Sequence, residues 1–157
     1  MTFPRILMIL VSTIQLISAS TDNCDIYEDL EKNVSCGVNG YLLQYGMKNC
    51  RIFNAPEIVS RFTAAGQRFL NCTRDCLIEH IEELFKRSRP TCDVIYSSAV
   101  ESHAHCYLKC DFCKICKTEK LALFSSYDLM DFLSIKSVKT IFKVLKKCGL
   151  VTCLNIF

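Results

Sequence analysis

The apolar residues in the middle of the chain repeat with the period of an α-helix. Between residues 57 and 87 they follow one another at steps of three and four, which places them on one stripe of a helix. The stripe consists of Ile58, Phe62, Ala65, Phe69, Cys72 and Cys76. Asn54 followed by Glu57 resembles a capping box, and Pro56 fits the first turn, where its missing N–H costs little. The pattern predicts one long helix, which residues 88–91 interrupt with a proline.

A second helical pattern follows the proline, and its apolar face is rich in cysteine. The face consists of Cys92, Ile95, Ala99, Cys106, Cys110 and Cys113, with His103 on the same side. Residues 117–126 are less regular, and residues 127–133 fit a short helix. Residues 21–50, which contain three glycines, have the least regular pattern of the chain.

The last pattern is a basic amphipathic helix, which Ser134 caps and Gly149 ends. Its predicted inner face consists of Ile135, Val138, Ile141, Phe142, Leu145 and Cys148. A stripe of lysines at helical spacing consists of Lys136, Lys139, Lys143 and Lys146, with Lys147 beside it. The stripe is either a solvated face or a contact for an acidic receptor surface or sulfated glycans. Because strand-like alternation is weak throughout, we predict an all-α domain, built on a long antiparallel αα-hairpin plus this C-terminal helix.

The first twenty residues have the features of a secretory signal peptide. Arg5 provides the basic start, residues 6–17 are mostly apolar, and the small residues at 18–20 suit cleavage before Thr21. The mature chain is then residues 21–157, a length that fits a single domain. The apolar run is too short to span a bilayer comfortably, and no later segment approaches that length. We therefore expect a secreted, extracellular protein with no membrane insertion.

All twelve cysteines lie in the expected mature chain. An even and dense set of cysteines in a secreted chain is typical of a disulfide framework. The Cys110-x-x-Cys113-x-x-Cys116 spacing, with His105 nearby, also resembles a metal-binding nest. Zinc and iron–sulfur sites need reduced thiolates, which the oxidising secretory pathway disfavours, so we expect no metal and no cofactor. Without Arg5 the chain has 18 basic and 16 acidic residues, a balance that gives no reason to expect a nucleic-acid partner.

The cysteine positions also predict how the hairpin is cross-linked. Cys72 and Cys76 are four residues apart on the first long helix, and Cys106 and Cys110 are four apart on the second. If the helices fold back about Thr91, Cys76 and Cys106 lie equally far from the turn, and so do Cys72 and Cys110. We therefore predict a ladder of two disulfides, Cys76 with Cys106 and Cys72 with Cys110. Because a bridge requires Cα atoms roughly 4.4–6.8 Å apart, the two helix axes must lie close together here.

Several of these residues form a recognisable series. It consists of Phe62-x-x-x-Gly66-x-x-Phe69, followed by Cys76, Cys92, Cys106-Tyr107, Cys113 and Cys148, with cysteine intervals of 16, 14, 7 and 35 residues. In this series the chain resembles the stanniocalcins. The upstream stretch LEKNVSC, residues 30–36, is similar to the glycosylated segment that leads into a cysteine in that family. The resemblance extends over about residues 24–150.

The resemblance implies a disulfide pattern for eight of the cysteines. It pairs Cys24 with Cys50, Cys36 with Cys92, Cys76 with Cys106, and Cys113 with Cys148. Cysteines 72, 110, 116 and 153 have no counterpart in the family pattern. Since the ladder pairs Cys72 with Cys110, elimination leaves Cys116 with Cys153.

The chain departs from the family in its cysteines and in its length. One early disulfide of the family is missing, and the sequence ends nine residues after Cys148. Vertebrate members continue further and carry a cysteine there that links two chains. We therefore do not expect a disulfide-linked homodimer, although Cys153 would be available for one if Cys116 had another partner. A non-covalent homodimer stays open.

Two Asn-x-Ser/Thr sequons are candidate N-glycosylation sites. Asn33 lies in a polar, turn-rich region that matches the family's site, and we predict a glycan on it. Asn71 is followed by Cys72 inside a predicted helix, which favours an unmodified side chain.

The titratable residues form no catalytic set in the sequence. His80, His103 and His105 have no paired carboxylate or free nucleophile placed beside them, so we interpret them as surface or core-edge histidines. Three acids on one helix, Glu79, Glu82 and Glu83, do not make an oxygen cage for calcium and are interpreted as a solvated face. We therefore expect no enzyme activity.

These residues together favour a rigid secreted domain that acts by presenting a surface to another protein. The resemblance implies a hormone-like signalling glycoprotein, active in calcium and phosphate homeostasis through an extracellular receptor. The alternative is a secreted inhibitor of an extracellular metalloproteinase, which some family members are. An enzyme or a metal protein would require free thiols, so thiol titration of the native protein would separate that class from the other two.

Overall fold

The computed structural model describes residues 23–127 and 135–154, and all of the regular structure in these two ranges is helical. No strand and no helix long and apolar enough to cross a bilayer occurs in them. The all-α prediction is confirmed. The expected signal peptide, residues 128–133 of the predicted short helix, and the Ser134 cap lie outside the described residues.

The helices fall into an N-terminal group, a central hairpin and a C-terminal group. The N-terminal group comprises a 3-10 turn (Asn23–Asp25), α1 (Ile26–Val34), a π-helical segment (Leu42–Met47), α2 (Lys48–Asn54) and α3 (Pro56–Val59). The hairpin is α4 (Ala64–Arg87) and α5 (Cys92–Lys109). The C-terminal group comprises α6 (Phe112–Thr118), α7 (Lys120–Ser126), α8 (Ile135–Cys148) and α9 (Leu150–Leu154). The two stretches with the least regular apolar pattern also contain helices, α1 within residues 21–50 and α7 within residues 117–126.

Each helix of the central hairpin begins where a threonine side chain satisfies a free backbone N–H of its first turn. Thr63 precedes α4, and its Oγ1 accepts a hydrogen bond from the Ala65 N–H at 3.3 Å. Thr91 precedes α5 and accepts in the same way from the Val94 N–H at 3.4 Å. The extended backbone at Ser88 separates the two helices, so the predicted break is confirmed.

The predicted start of the first long helix was wrong. Residues 56–59 form the separate short helix α3, and α4 begins only at Ala64. Pro56 does occupy the first turn of α3, as predicted, but Asn54 does not cap it. The Asn54 amide donates to Cys24 Sγ at 3.3 Å, and its Oδ1 accepts from Arg74. Because these tertiary contacts occupy the Asn54 side chain, it does not cap α3 as the capping box predicted.

The second long helix also ends earlier than its cysteine pattern predicts. Cys110 is the C-cap of α5, with its N–H donating to the Cys106 carbonyl at 2.9 Å. Asp111 then adopts a left-handed conformation with φ of 65°. This turn begins a new helix, so Cys113 and Cys116 lie on α6 and not on the face that carries Cys106.

The hairpin belongs to two apolar clusters. One lies around the N-terminal half of α4 and includes Phe62, Phe69, Leu70, Ile115 and Leu123, with side chains from α6, α7 and α9. The other lies towards the turn and includes Tyr27, Leu42, Ile81, Ile95 and Ala99, with side chains from α1 and the π-helical segment. The long helices therefore form a frame to which the N-terminal and C-terminal groups are attached.

The buried face of α8 differs from the predicted inner face. Val144 is 2% exposed, whereas Val138 and Phe142, both predicted to face inward, are each 54% exposed. Ile141, Leu145 and Cys148 are partly buried as predicted, and the Ile135 side chain is not among those described. The helix α8 is thus turned about its axis so that Val144 faces inward. Two contacts hold it in this orientation: Lys136 Nζ donates to Ser97 Oγ of α5 at 2.6 Å, and Cys148 is bonded to Cys113 of α6.

Candidate functional site

The two disulfides predicted between the long helices are present. Cys76 is bonded to Cys106 and Cys72 to Cys110, each with a Cα–Cα distance of 5.7 Å. The two-disulfide ladder predicted from the equal distances of these cysteines to the turn is confirmed. The helices approach this closely because their contact face is built from cysteines and other small side chains, including Ala99.

Two further disulfides attach the N-terminal group to itself and to the hairpin. Cys24 is bonded to Cys50 with Cα atoms 5.6 Å apart, and Cys36 is bonded to Cys92 with Cα atoms 5.7 Å apart. Both pairs are those implied by the family resemblance. Cys92 is the first residue of α5, so the second bridge fixes the chain after α1 to the turn of the hairpin.

The last two disulfides join α6 to the C-terminal helices. Cys113 is bonded to Cys148 at the end of α8, and Cys116 to Cys153 in α9, with Cα–Cα distances of 4.9 and 5.0 Å. The pair reached by elimination is confirmed. All twelve cysteines of the sequence therefore form disulfides within one chain.

The sulfurs of these two bridges form a compact cluster. The Sγ atoms of Cys116, Cys148 and Cys153 lie within 4.8 Å of one another, and all three residues are largely buried. Such spacing would suit metal ligands if the sulfurs were thiolates. Each sulfur here is bonded to another sulfur, and a disulfide sulfur lacks the thiolate charge that zinc binds. The cluster in this oxidised state is a cross-link between α6, α8 and α9.

A buried carboxylate that the sequence analysis missed holds the start of α4. Glu119 is 9% exposed and lies between α6 and α7. Its Oε2 accepts from the Thr63 N–H at 2.8 Å, and its Oε1 accepts from the Thr63 hydroxyl at 2.7 Å. A negative charge beside the N-terminus of a long helix is also favoured by the helix dipole. No local motif marks this contact, because the partners are 56 residues apart in sequence.

The four motif residues of the family resemblance lie in or beside the first apolar cluster. Phe62 and Phe69 are 4% and 2% exposed, and the Phe69 ring lies 6.0 Å from that of Tyr107. A Cβ added to Gly66 would collide with Glu119 Oε2 and with the Phe62 ring, so the glycine is required by close packing. These residues are structural and position the hairpin against α6 and α7.

All six tyrosines of the sequence line one cavity of about 90 Å³ beside the hairpin. They are Tyr27, Tyr41, Tyr45, Tyr96, Tyr107 and Tyr127. His103 and Arg74 contribute polar atoms to the wall. Arg74 is held by Asn54 and by an ion pair with Asp75 at 2.9 Å. The cavity is not visible in the sequence, because the tyrosines are spread over most of the chain without a common period.

Burial disfavours the charged forms of His103 and of three tyrosines in this cavity. It raises the pKa of Tyr41 and Tyr127, and that of Tyr107 to about 12. It lowers the pKa of His103, against a smaller opposite effect of the hydrogen bond between Nδ1 and the Ala99 carbonyl at 2.7 Å. Because a carbonyl only accepts, the neutral ring carries its proton on Nδ1. The buried tyrosines and the neutral His103 ring therefore act here as packing side chains, and none of them is a charged base or nucleophile.

The other two histidines line a groove between α4 and α5 of about 360 Å³. His80 Nε2 lies 2.9 Å from Ser98 Oγ, and His105 is exposed. Two carboxylates of the groove face cations: Glu79 lies 3.8 Å from Lys109, and Glu83 lies 2.8 Å from Lys86. The carboxylates of the groove are thus balanced by neighbouring cations, which agrees with the interpretation of these acids as a solvated face.

The lysine stripe predicted on α8 is exposed. Lys136, Lys139, Lys143, Lys146 and Lys147 all lie on the solvent side of the helix. Lys136 is attached to α5, since its Nζ also lies 5.3 Å from the centroid of the Tyr96 ring. The structure therefore places the candidate binding residues of the stripe at the surface, together with the exposed Val138 and Phe142.

Both candidate glycosylation residues are exposed, so access does not distinguish them. Asn33 lies in the last turn of α1, and its amide donates to the Asp29 carbonyl at 3.1 Å. Asn71 lies in the middle of α4, where its Oδ1 accepts from Arg74 at 3.3 Å. The neighbouring Cys72 is bonded to Cys110, which fixes the backbone beside the sequon. Glycosylation of Asn33 stays a prediction.

Comparison of the chain with protein-family models, curated proteins and solved structures found no match.

Proposed function

We propose that this protein is a secreted, hormone-like signalling glycoprotein resembling the stanniocalcins. In this proposal it acts in calcium and phosphate homeostasis by binding an extracellular protein receptor. The signal-like residues 1–20 and the sequon at Asn33 support secretion and glycosylation. A disulfide framework of this density is also typical of secreted domains.

The observation that carries the proposal is the pairing of the cysteines. The four bridges implied by the resemblance join positions 24 and 50, 36 and 92, 76 and 106, and 113 and 148, and all four are present. Twelve cysteines can be paired in a very large number of ways, because six already allow about 15 connectivities. Agreement in four independent bridges is therefore much more specific than agreement in helical content.

The geometry supports a binding role through rigidity. One bridge attaches the chain after α1 to the hairpin, and two bridges join α8 and α9 to α6, so the positions of helices within each group are set before a partner binds. A rigid surface loses less conformational entropy on association, which favours binding. The buried tyrosines and His103 are uncharged packing groups, and the carboxylates of the groove are paired with lysines, so these sites offer no evident nucleophile or base.

The proposal is tested with glycosylated protein purified from the medium of secreting cells. We expect saturable binding of labelled protein to the surface of epithelial cells, and a dose-dependent change in calcium and phosphate flux. Reduced and alkylated protein is the matched control, because it has the same composition without the fixed surface, and it should be inactive. Absence of both saturable binding and a flux response would contradict the proposal. Inhibition of a secreted metalloproteinase by the oxidised protein, without a flux response, would instead support the inhibitor alternative.

A further inference from the structure

The exposed side of α8 combines positive charge with apolar surface. At 100° per residue, one continuous arc of the helix carries Val138, Lys139, Phe142, Lys143, Lys146 and Lys147. We call this set the basic–apolar face. Val138 and Phe142 are both 54% exposed and lie one turn apart at one edge of the arc. Because Val138 and Phe142 are neighbours, they present a joint apolar surface beside the lysines, and burying it against an apolar phase would be favourable.

The lysines of the basic–apolar face have no acidic neighbour among residues 23–127 and 135–154. In the part of the chain that the structure describes, no carboxylate lies within ion-pair distance of Lys139, Lys143, Lys146 or Lys147. The wider region is also basic, since residues 112–157 contain eight lysines and three acidic residues. Residues 21–111 contain ten basic and thirteen acidic residues. The positive charge of the molecule is therefore concentrated in its C-terminal third.

The composition of the face favours one class of partner. Lysine is depleted in specific protein–protein interfaces, whereas arginine is enriched, and the sequence has no arginine after Arg89. A second copy of the same face would bring like charges together. A sulfated glycan would attract the lysines but would leave Val138 and Phe142 exposed. An anionic lipid surface accommodates both, because lysines meet the phosphates while apolar side chains enter the region between headgroups and acyl chains.

We propose that the basic–apolar face binds the surface of membranes that display anionic phospholipids. The helix axis lies parallel to the membrane, with the lysine ammonium groups at the phosphates and the Phe142 ring below them. The contact is peripheral, and no segment spans the bilayer. It uses the face opposite to Val144, so the hairpin and the six disulfides keep their positions on binding. This contact does not depend on the proposed function, which assigns no residues to a receptor site.

The test is flotation of the full oxidised protein with vesicles of neutral phosphatidylcholine, with and without about one third phosphatidylserine. We expect binding only to the mixed vesicles, and weaker binding in high salt. The double variant Lys139→Glu, Lys143→Glu should bind at least about tenfold more weakly, since each lysine near an anionic surface contributes about fivefold. The matched control is Arg68→Glu, Arg89→Glu, which makes the same charge change at two exposed residues outside α8 and should bind within about twofold of the parent.

The apolar part of the face is tested separately. Phe142→Ser should weaken vesicle binding by about five- to tenfold, because only the exposed half of the Phe142 side chain leaves water, whereas full burial of a phenylalanine would contribute more than about tenfold. Phe124→Ser is its matched control, since Phe124 is also 54% exposed but lies on α7, and it should bind as the parent does. Equal binding to neutral vesicles, or equal loss in the two phenylalanine variants, would overturn the proposal. Retention of Phe142→Ser binding, together with heparin binding that depends on Lys139 and Lys143, would indicate a glycan site and also overturn it.

Discussion

A single carboxylate at Glu119 illustrates how individual residues hold this fold together. It accepts two hydrogen bonds from Thr63 and lies against Gly66, which has no side chain to displace it. The contact connects the start of the central hairpin to the junction of α6 and α7. Because the carboxylate is buried, each hydrogen bond is difficult to replace by water.

Substitution Glu119→Ala is expected to destabilise the protein by about 1–3 kcal/mol. It removes both carboxylate oxygens, so the Thr63 N–H and the Thr63 hydroxyl lose the acceptors that hold them at the start of α4. The measurement is denaturant unfolding with the disulfides intact, compared with the same substitution at the exposed Glu101. Equal stability of the two variants would show that the Glu119 contacts are unimportant.

Buried His103 is expected to make stability depend on pH. Burial lowers its pKa in the folded state from the ordinary value of 6.5, with a further small effect from His80. The unfolded chain therefore binds the proton more readily, and stability is lost as the pH falls below about 6.5 towards the lower folded-state pKa. In the variant His103→Gln, which does not titrate, the free energy of unfolding should fall less steeply over this range. Parallel curves for parent and variant would contradict this assignment.

At the scale of elements, α8 shows that an amphipathic pattern does not determine which part of a helix is buried. The sequence pattern predicted Val138 and Phe142 inside and did not select Val144, whereas the structure buries Val144 and exposes the other two. The attachment of Lys136 to Ser97 and of Cys148 to Cys113 rotates the helix relative to its apolar stripe.

Two substitutions of the same type distinguish these faces. Val144→Ala should destabilise the protein by about 1–3 kcal/mol, because it removes buried methyl groups and leaves a cavity. Val138→Ala should change the free energy of unfolding by less than about 0.5 kcal/mol, as expected for an exposed position. The comparison requires only denaturant unfolding of the two variants. The reverse order of effects would support the inner face predicted from the sequence.

At the scale of the whole molecule, the six disulfides contribute stability that a larger protein would obtain from a larger apolar core. Each native bridge contributes about 2–4 kcal/mol, largely by restricting the unfolded chain. The closed loops overlap along the chain in two sets, one between residues 24 and 110 and one between residues 113 and 153. The molecule is therefore stabilised along its whole length by bridges internal to one chain.

The purified, oxidised protein is expected to run at monomer mass under both reducing and non-reducing conditions. All twelve cysteines are paired within the chain, so none is left to link two copies. Mass mapping of non-reduced peptides should recover the six pairs, including Cys116 with Cys153. A band at twice the monomer mass that disappears on reduction would contradict this arrangement, and Cys153 would be the first cysteine to examine.

Much of the fold could be predicted because its signals are local or regularly spaced. The helical period, the break before Thr91 and the equal distances of Cys76 and Cys106 from the turn are all visible along the chain. The remaining errors occur where distant groups compete for a residue. Asn54 contacts Cys24 and Arg74 instead of capping a helix, and Glu119 accepts hydrogen bonds from Thr63, which lies 56 residues away in sequence.

The sequence by itself determined the helical class, the hairpin and its two disulfides, because periodicity and register are properties of the chain order. The family resemblance implied three further cysteine pairs, and elimination left Cys116 with Cys153. Only the tertiary structure decided which side of α8 faces water, how the six tyrosines come to share one cavity, and where the second long helix ends. These features depend on contacts between elements that no local pattern records. The basic–apolar face is one of them, since it results from anchoring α8 in a rotation that its own apolar residues do not favour.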